Sequence, residues 1–510
     1  MPEPEAGGEW HPSQEDARAL RKASSRLSRQ IADLVAGLPF AHAPALADVQ
    51  AALPAPDLCG LHVPQPGGAG VDLAYIDTLT NDQRLWQEVV QPILSGTLRP
   101  ESLPKAQPIR SLVDLRHRLL LGWVVILPPV GMPLGISMEG VPQRSVGEPT
   151  TEREVIGPKE GFVEKFPTNV GLIRNRLRDP SLRIEYHTVG RRSRTRVAML
   201  YLADVARPSM VRRARIGLRS IAIDFVRTGM DVAELTFQHG SSPFPLVEQT
   251  ERPDRVAREL SLGRLALVVE GAPFVLLVPV TFFDFQHDGE GELPGPVVTL
   301  FIRALRLSGL FLALALPGLY VGVLEANPLV MPVPLTITLA AARFAIPYPV
   351  VTEAILMMII ADILAEATAQ SASAIGNALS IVGTLIIGQL MVQAHLASTL
   401  LMIVVAASLM GSFLTLKFPL SYSLRIWKYA LVLLAAVGGL LGWFIGVLAI
   451  VVHLASLESA GVPYLAPLVA ATSLRSVTRT MVQPSRGKLR LRPAEYRPRQ
   501  AVAARRRGRR

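Results

Sequence analysis

Two rhythms of apolar residues divide the chain. Up to about Gln286 they come in short β-branched runs separated by charged stretches with helical spacing; from Leu305 to Leu474 they merge into long runs with few charges. In the first part the pattern repeats itself. VDLAYIDTLTNDQRLWQEVVQPIL (71–94) aligns without gaps to VAMLYLADVARPSMVRRARIGLRS (197–220), with Val71 opposite Val197 and Tyr75 opposite Tyr201. Each copy reads as a short strand, a turn and a helix. A second pair, LVDLRHRLLLGWVVILPP (112–129) and DRVARELSLGRLALVVEG (254–271), shares Leu119/Leu260, Leu121/Leu262 and Gly122/Gly263. Here a helix ends at the glycine its C-cap favours, and a β-branched strand follows. The spacing is 126 residues in one pair and 141 in the other. The pattern predicts two related α/β subdomains, 31–145 and 196–290, behind a disordered 1–30 and joined by a polar connecting region, 146–195.

The apolar part predicts membrane helices. LSGLFLALALPGLYVGVLEA (307–326) would cover about 30 Å at 1.5 Å per residue, the thickness of a hydrocarbon core. Arg303 and Arg306 precede it and place its start inside. The proline-broken ANPLVMPVPLTI predicts an outer turn, 378–396 and 397–414 a tight hairpin, and LKFPLSYSLRIWK (416–428) an inner basic loop. The stretch 430–457 reads as one long tilted helix or as two pieces broken near Gly438-Gly439. The expected architecture is an α/β cytoplasmic region of two related subdomains, then an α-helical multi-pass membrane domain over 300–467 with four to six spans.

Charge alters this picture only at the end of the chain. The net charge is +11, but residues 468–510 hold 13 Lys+Arg against one acid, Glu495, and the remainder is close to neutral. A nucleic-acid surface spread over the fold is therefore not expected; a basic cytoplasmic tail against anionic lipid is. Cys59 is the only cysteine, so no intrachain disulfide forms. MPEPEAGGEWHPSQEDARALRK has no apolar signal-peptide core, which predicts a cytoplasmic polar half. The histidines lack metal-ligand spacing, GPKEG lacks the context of a phosphate loop, and no GxSxG, HExxH or CxxC motif occurs. Neither an enzyme nor a cofactor is expected.

Three acids interrupt the apolar segment 347–383: Glu353, Asp362 and Glu366. A carboxylate at mid-bilayer costs about 2.5–3.5 kcal/mol. At 100° per residue Asp362 and Glu366 share a helix face, while Glu353 lies opposite and is expected at the outer interface beside Tyr348. Two readings stay open. Either the helix lies at the interface with its acids in headgroup water, or the acids face a water-filled conduit or a subunit interface. For the second reading the candidates are Asp362, Glu366, Asn377, Ser380 and Gln389, a polar seam carried into the next apolar run.

Several long motifs, in order, resemble the A subunits of GerA-type spore germinant receptors. They are EPTTEREVIGPKEGFVE, NVGLIRNRLRDPSLR, GRRSRTRVAMLYLADVA and TERPDRVARELSLGRLALVVEGAPFVLLVPVTFFDF, then AARFAIPYP, SIVGTLIIGQ, PLSYSLR and GVPYLAP. The resemblance spans about Val71 to Pro467. It implies a multi-pass subunit of the spore inner membrane that forms a homo-oligomeric, ligand-gated cation channel. The implied partners are a transporter-like B subunit, which senses nutrient, and a lipoprotein C subunit. It also implies assembly or coupling roles for Glu148, Glu152, Gly157, Pro158, Gly161, Phe162, Glu164, Asn169, Arg174, Arg176, Arg191, Arg192, Ser193, Thr195, Glu251, Arg252 and Pro253. A SpoVAF-like paralogue, an accessory or scaffold subunit of the dipicolinic acid release channel complex, shares these motifs and is the alternative. A secondary transporter would carry inverted repeats in its apolar half; the duplication lies in the polar half.

Overall fold

The computed structural model describes residues 40, 44–66, 69–96, 106–140, 158–237, 242–286, 296–370, 388–414 and 418–466, with isolated positions between 468 and 502. The polar half holds two five-stranded antiparallel sheets. The first contains β1 (Leu58–Val63), β2 (Val71–Ile76), β3 (Gln107–Pro108), β4 (Trp123–Leu127) and β5 (Leu134–Ser137), in the order β1-β2-β4-β5-β3. The second contains β6 (Leu182–Val189), β7 (Thr195–Leu202), β8 (Glu248–Thr250), β9 (Leu265–Val269) and β10 (Val275–Val278), in the corresponding order β6-β7-β9-β10-β8. The two sequence offsets carry over to the central pairing. Leu73 opposite Ile126 in the first sheet becomes Met199 opposite Leu267 in the second.

Both faces of each sheet are covered. Helices α1 (Leu46–Ala52) and α4 (Leu112–Leu120) lie on one face of the first sheet; α2 (Asp82–Leu85), a π turn (Trp86–Val90) and α3 (Gln91–Leu94) lie on the other. In the second unit α5 (Phe166–Arg176) and α8 (Pro253–Leu262) cover one face, α6 (Pro208–Ser220) and α7 (Gly229–Phe237) the other. Strand alternation explains the two cores: Val197 and Met199 point one way, Ala198 and Leu200 the other. The helix signals act as expected. Pro253 opens α8, and Gly263 ends it in the left-handed region at φ 102°.

One boundary is corrected. Helix α5 and edge strand β6 belong to the second sheet, so that unit begins near Phe166 and the polar connection is shorter than 146–195. The strand was hidden because LRIEYHTV places Arg183, Glu185 and His187 at half-buried positions, and their charge reads as linker.

The apolar half contains α9 (Pro296–Leu314), α10 (Leu316–Ala326), α11 (Val333–Arg343), α12 (Val350–Gln370), α13 (Thr399–Leu414) and α14 (Phe418–Ser456). Among the described residues two stretches are long and apolar enough to cross a membrane, Val297–Leu314 and Pro419–Ser456. The second is not straight. Gly439, at φ 58° and ψ −143°, breaks α14, and the chain doubles back there. Gly446 lies against Leu431 and Leu434, and Leu420 shares a core cluster with Leu454. Asn327 Oδ1 accepts from Leu440 N at 2.9 Å and caps the returning piece.

The stretch expected as a basic loop at 416–428 is, from Phe418, the first turns of α14. Its bases find acids on α12 and need no solvent. Most of the predicted span 378–396 lies outside the described residues.

The bundle's proximal end is fixed to the second α/β unit. Arg306 Nη1 donates to Gln286 O (2.7 Å), Ser423 Oγ to Pro243 O (2.6 Å) and Ser459 Oγ to Leu246 O (2.6 Å). Ser242 Oγ and His453 Nε2 are 2.9 Å apart. The Asn327–Leu440 cap marks the distal end. Described positions of the tail also return to the second unit: Arg492 Nε donates to Ser261 O (2.8 Å), Arg499 N to Val205 O (2.8 Å), and Tyr496 Oη to Asp284 Oδ1 (2.8 Å). Here the tail, expected against lipid, binds protein.

Candidate functional site

Helix α12 carries its acids on two faces, each met by a base. Asp362 receives Lys428 Nζ at 3.1 and 3.2 Å and Tyr429 Oη at 2.7 Å, with Arg425 Nε 3.9 Å away. Four residues on, Glu366 takes Arg425 Nη1 and Tyr422 Oη, both at 3.4 Å. All four partners lie within two turns of α14, so two helix periodicities meet along one seam. Asp362 is mostly buried while Glu366 is 42% exposed, and the seam opens to the surface there. A crevice beside it, lined in part by Asp362, Ser408, Ser412, Ser421 and Lys428, has a free volume of about 10 Å³, room for about one water.

Glu353 faces away from this seam, as the helical angle requires, but it does not sit in open water beside Tyr348. It is fully buried: Ser398 N donates to Oε1 at 2.5 Å and Arg343 Nη2 lies 3.2 Å from Oε2. Burial is tolerable because a cation and a backbone N–H both reach the carboxylate. Gln389 is exposed, and among the described residues no hydrogen bond or ion pair joins it to the Asp362 seam. Asn377 and Ser380 lie outside the described residues.

The motif residues of the α/β half assemble a joint. Arg174 and Asp57 form a fully buried ion pair between the two units; Arg174 Nε donates to Oδ2 at 3.1 Å, and Nη2 donates to Oδ1. Thr78 Oγ1 donates to the same Asp57 at 2.9 Å. Gly171 lets α5 approach: a Cβ there would stand 2.5 Å from Thr78 O. Asn169 holds the entry to α5, accepting from Val163 N at 2.9 Å and donating to Val163 O. Phe162 N donates to Glu251 O at 2.8 Å, and Gly161 and Phe162 are buried. Arg252 pairs with Asp254 at 2.8 Å, just where Pro253 starts α8. Thr195 Oγ1 donates to Ser193 Oγ at 3.0 Å, and Ser193 Oγ accepts from Val226 N at 3.2 Å, closing the β6–β7 turn.

The remaining motif residues stay outside the joint. Arg176 pairs with Glu160, Arg192 lies 3.6 Å from Asp224, and Pro158, Glu164 and Arg191 are exposed. Glu148, Glu152 and Gly157 fall outside the described residues. Sequence reasoning missed a second buried cluster: Arg264 reaches Glu248 (2.8 Å) and Glu259 (3.1 Å), and its guanidinium lies 5.7 Å from the Tyr496 ring. Burial opposes the charge on Arg264, but Glu248, Tyr496 and Glu259 carry its pKa upward. Burial also pushes the Asp284 carboxyl up, against Arg264. The ELSLGR run gave no signal for this, because a helix-terminal arginine looks solvated until its partners are placed. Among the described residues no group of three or more His, Cys, Asp or Glu is placed to hold a metal.

A duplicated α/β unit fixed to an apolar helical bundle, with paired acids and bases inside the bundle, defines a two-part protein with a polar and an apolar half. The chain belongs to the GerA family: the model described as "Bacillus/Clostridium GerA spore germination protein" matches residues 61–495. It is 34% identical over 402 residues to spore germination protein KA of Bacillus subtilis (strain 168), covering 78% of this chain and 73% of that one. It is 28% identical over 397 residues to stage V sporulation protein AF of the same organism, covering 77% and 80%. A solved structure, the N-terminal domain of the A subunit of the Bacillus megaterium spore germinant receptor GerK3, is 21% identical. It covers 48% of this chain and 98% of its own, at a TM-score of 0.36.

Proposed function

We propose that the protein is a spore germination subunit of the inner membrane, working in a germinant receptor beside B and C subunits and assembling into an oligomeric, ligand-gated cation channel. The observation that carries this reading is the Asp362–Glu366 seam, a row of charges that an apolar bundle has no structural need to hold. The bundle's geometry supports a membrane location. Counted from Arg306 at the proximal end, α9 and α10 reach Asn327 about 31 Å away, roughly one hydrocarbon thickness. Of the four to six crossings expected, five would be α9–α10, α12, α13 and the two arms of α14. Trp427 and His453, rings 5.4 Å apart near the proximal end, are side chains suited to an interface there, which supports reading that end as the inner one. The acid seam lies at that level, which favours a charged vestibule over a mid-bilayer filter. Within one chain the crevice admits about one water, so the ion route runs between copies, along the open side of Glu366.

The test is Asp362→Asn with Glu366→Gln, in spores given nutrient. Slowed cation release with unchanged protein abundance is the expected result. Wild-type release would refute the conduit. The accessory reading, supported by the match to stage V sporulation protein AF, is separated by deletion: a receptor subunit abolishes the response to particular nutrients, whereas an accessory subunit slows dipicolinic acid release for all of them.

A further inference from the structure

We infer that the outer face of α6 is a second membrane contact, a docking surface for anionic phospholipid headgroups. The inference rests on the bundle lying in a bilayer, and it goes beyond that reading by assigning lipid contact to the α/β half. The sequence PSMVRRARIGLRS splits cleanly. Met210, Val211, Ala214 and Leu218 are buried against the sheet. Arg212, Arg213, Ile216 and Arg219 are exposed and fall within an arc of about 120° at 100° per residue. Ile216 is 62% exposed in the middle of that arc, and Phe225, on the loop that α6 runs into, is 67% exposed. Among the described residues neither Arg212 nor Arg219 forms an ion pair.

Position decides what faces these side chains. Arg213 Nη1 lies 3.8 Å from Glu458 Oε2, and the same guanidinium packs on Gly461. Glu458 follows the last residue of α14 by two positions, and His453, five positions earlier, stacks near Trp427 at the interface. Arg213 therefore meets the chain just past the proximal end of α14, close to that aromatic level. The headgroup layer extends about 5–8 Å beyond the hydrocarbon on each side. A helix at that depth presenting three arginines around one isoleucine matches an interfacial face, with the apolar residue entering the acyl boundary and the guanidinium groups on phosphates. A second protein copy fits poorly, because interface centres are depleted in charge.

The experiment uses the full chain in single-copy nanodiscs, with Cys59→Ser and a fluorophore on Ile216→Cys, and lipids carrying a quencher on the headgroup. Quenching is expected in phosphatidylglycerol discs, with a weak signal in phosphatidylcholine. Arg212→Glu with Arg219→Glu should abolish it, as each arginine shifts the apposed population about fivefold, the equivalent of about 1 kcal/mol. Equal quenching in both lipids overturns the charge recognition. No quenching overturns the contact, and so does shielding from an aqueous quencher without headgroup quenching, which would point to a protein partner. A chain that fails to enter discs defeats the membrane reading instead, so the two failures stay distinguishable.

Discussion

The two α/β units share a strand order and a central register, but they are wired differently. The first has two apolar cores, and its fully buried charge, Asp57, lies at the joint. The second buries Arg174, Arg264, Glu248 and Glu259, and it supplies the described hydrogen bonds to the bundle, from Ser242 to Gln286. Duplication produced two copies of one sheet; the second became an adaptor. Among the described residues the first unit's cross-unit bonds go to the second unit, chiefly along α5. The Arg174–Asp57 pair is the buried ion pair of that joint, with Arg183 Nη1 donating to Pro54 O beside it.

Breaking that joint should have the largest effect. Arg174→Ala leaves Asp57 charged, buried and short of its main partner, a loss of about 3–5 kcal/mol. Chemical denaturation of the detergent-solubilised chain should show the first unit melting apart from the second. Asp57→Ala combined with Arg174→Ala should recover part of the loss, since removing both charges ends the desolvation penalty. Coincident, unshifted transitions would show that the joint is not what couples the units. Gly171→Ala is a milder probe of the same contact. Its Cβ would press on Thr78 O, and the shift of α5 should cost about 1–3 kcal/mol. The proteolysis rate between the units should rise accordingly.

The duplication was legible because it rests on local pattern: apolar alternation, Gly122 and Gly263 as helix stops, and offsets that survive as strand register. Edge strand β6 was not, because its half-buried charges, Arg183, Glu185 and His187, resemble a linker's. The break at Gly439 was readable as a choice between two forms; only the fold places Asn327, 113 residues away, to cap the returning helix. Asp362 and Glu366 were found from their spacing on one helix. Their partners Arg425 and Lys428 were not, since a basic stretch before an apolar run reads as a solvated loop. Long-range pairs such as Arg174–Asp57 leave no trace in a single sequence, because each half is an ordinary surface residue until folding brings the other.

The smallest effect separates the units by acid. On β6, Glu185 accepts Arg215 Nη2 at 2.6 Å and Nε at 2.9 Å, and Tyr201 Oη at 2.7 Å. The Arg215 hydrogen bond holds its carboxyl below the ordinary value of 4.5, over the opposing effect of burial, and Tyr201 adds to this. A carboxyl depressed on folding gives stability that is present above its unfolded pKa and lost as pH falls through the folded one. At the matching register the first unit has Leu61, opposite Leu73 as Glu185 is opposite Met199, and leucine has no proton to lose. Acidifying from about pH 6 to about pH 3 should therefore remove about 0.5–1 kcal/mol from the second unit at this site, a partly screened pair. Glu185→Gln should cancel that share and leave the first unit's transition where it was. If the variant's second transition keeps the full acid slope, the Glu185–Arg215 pair does not cause it, and the buried Glu248–Arg264 cluster becomes the place to look.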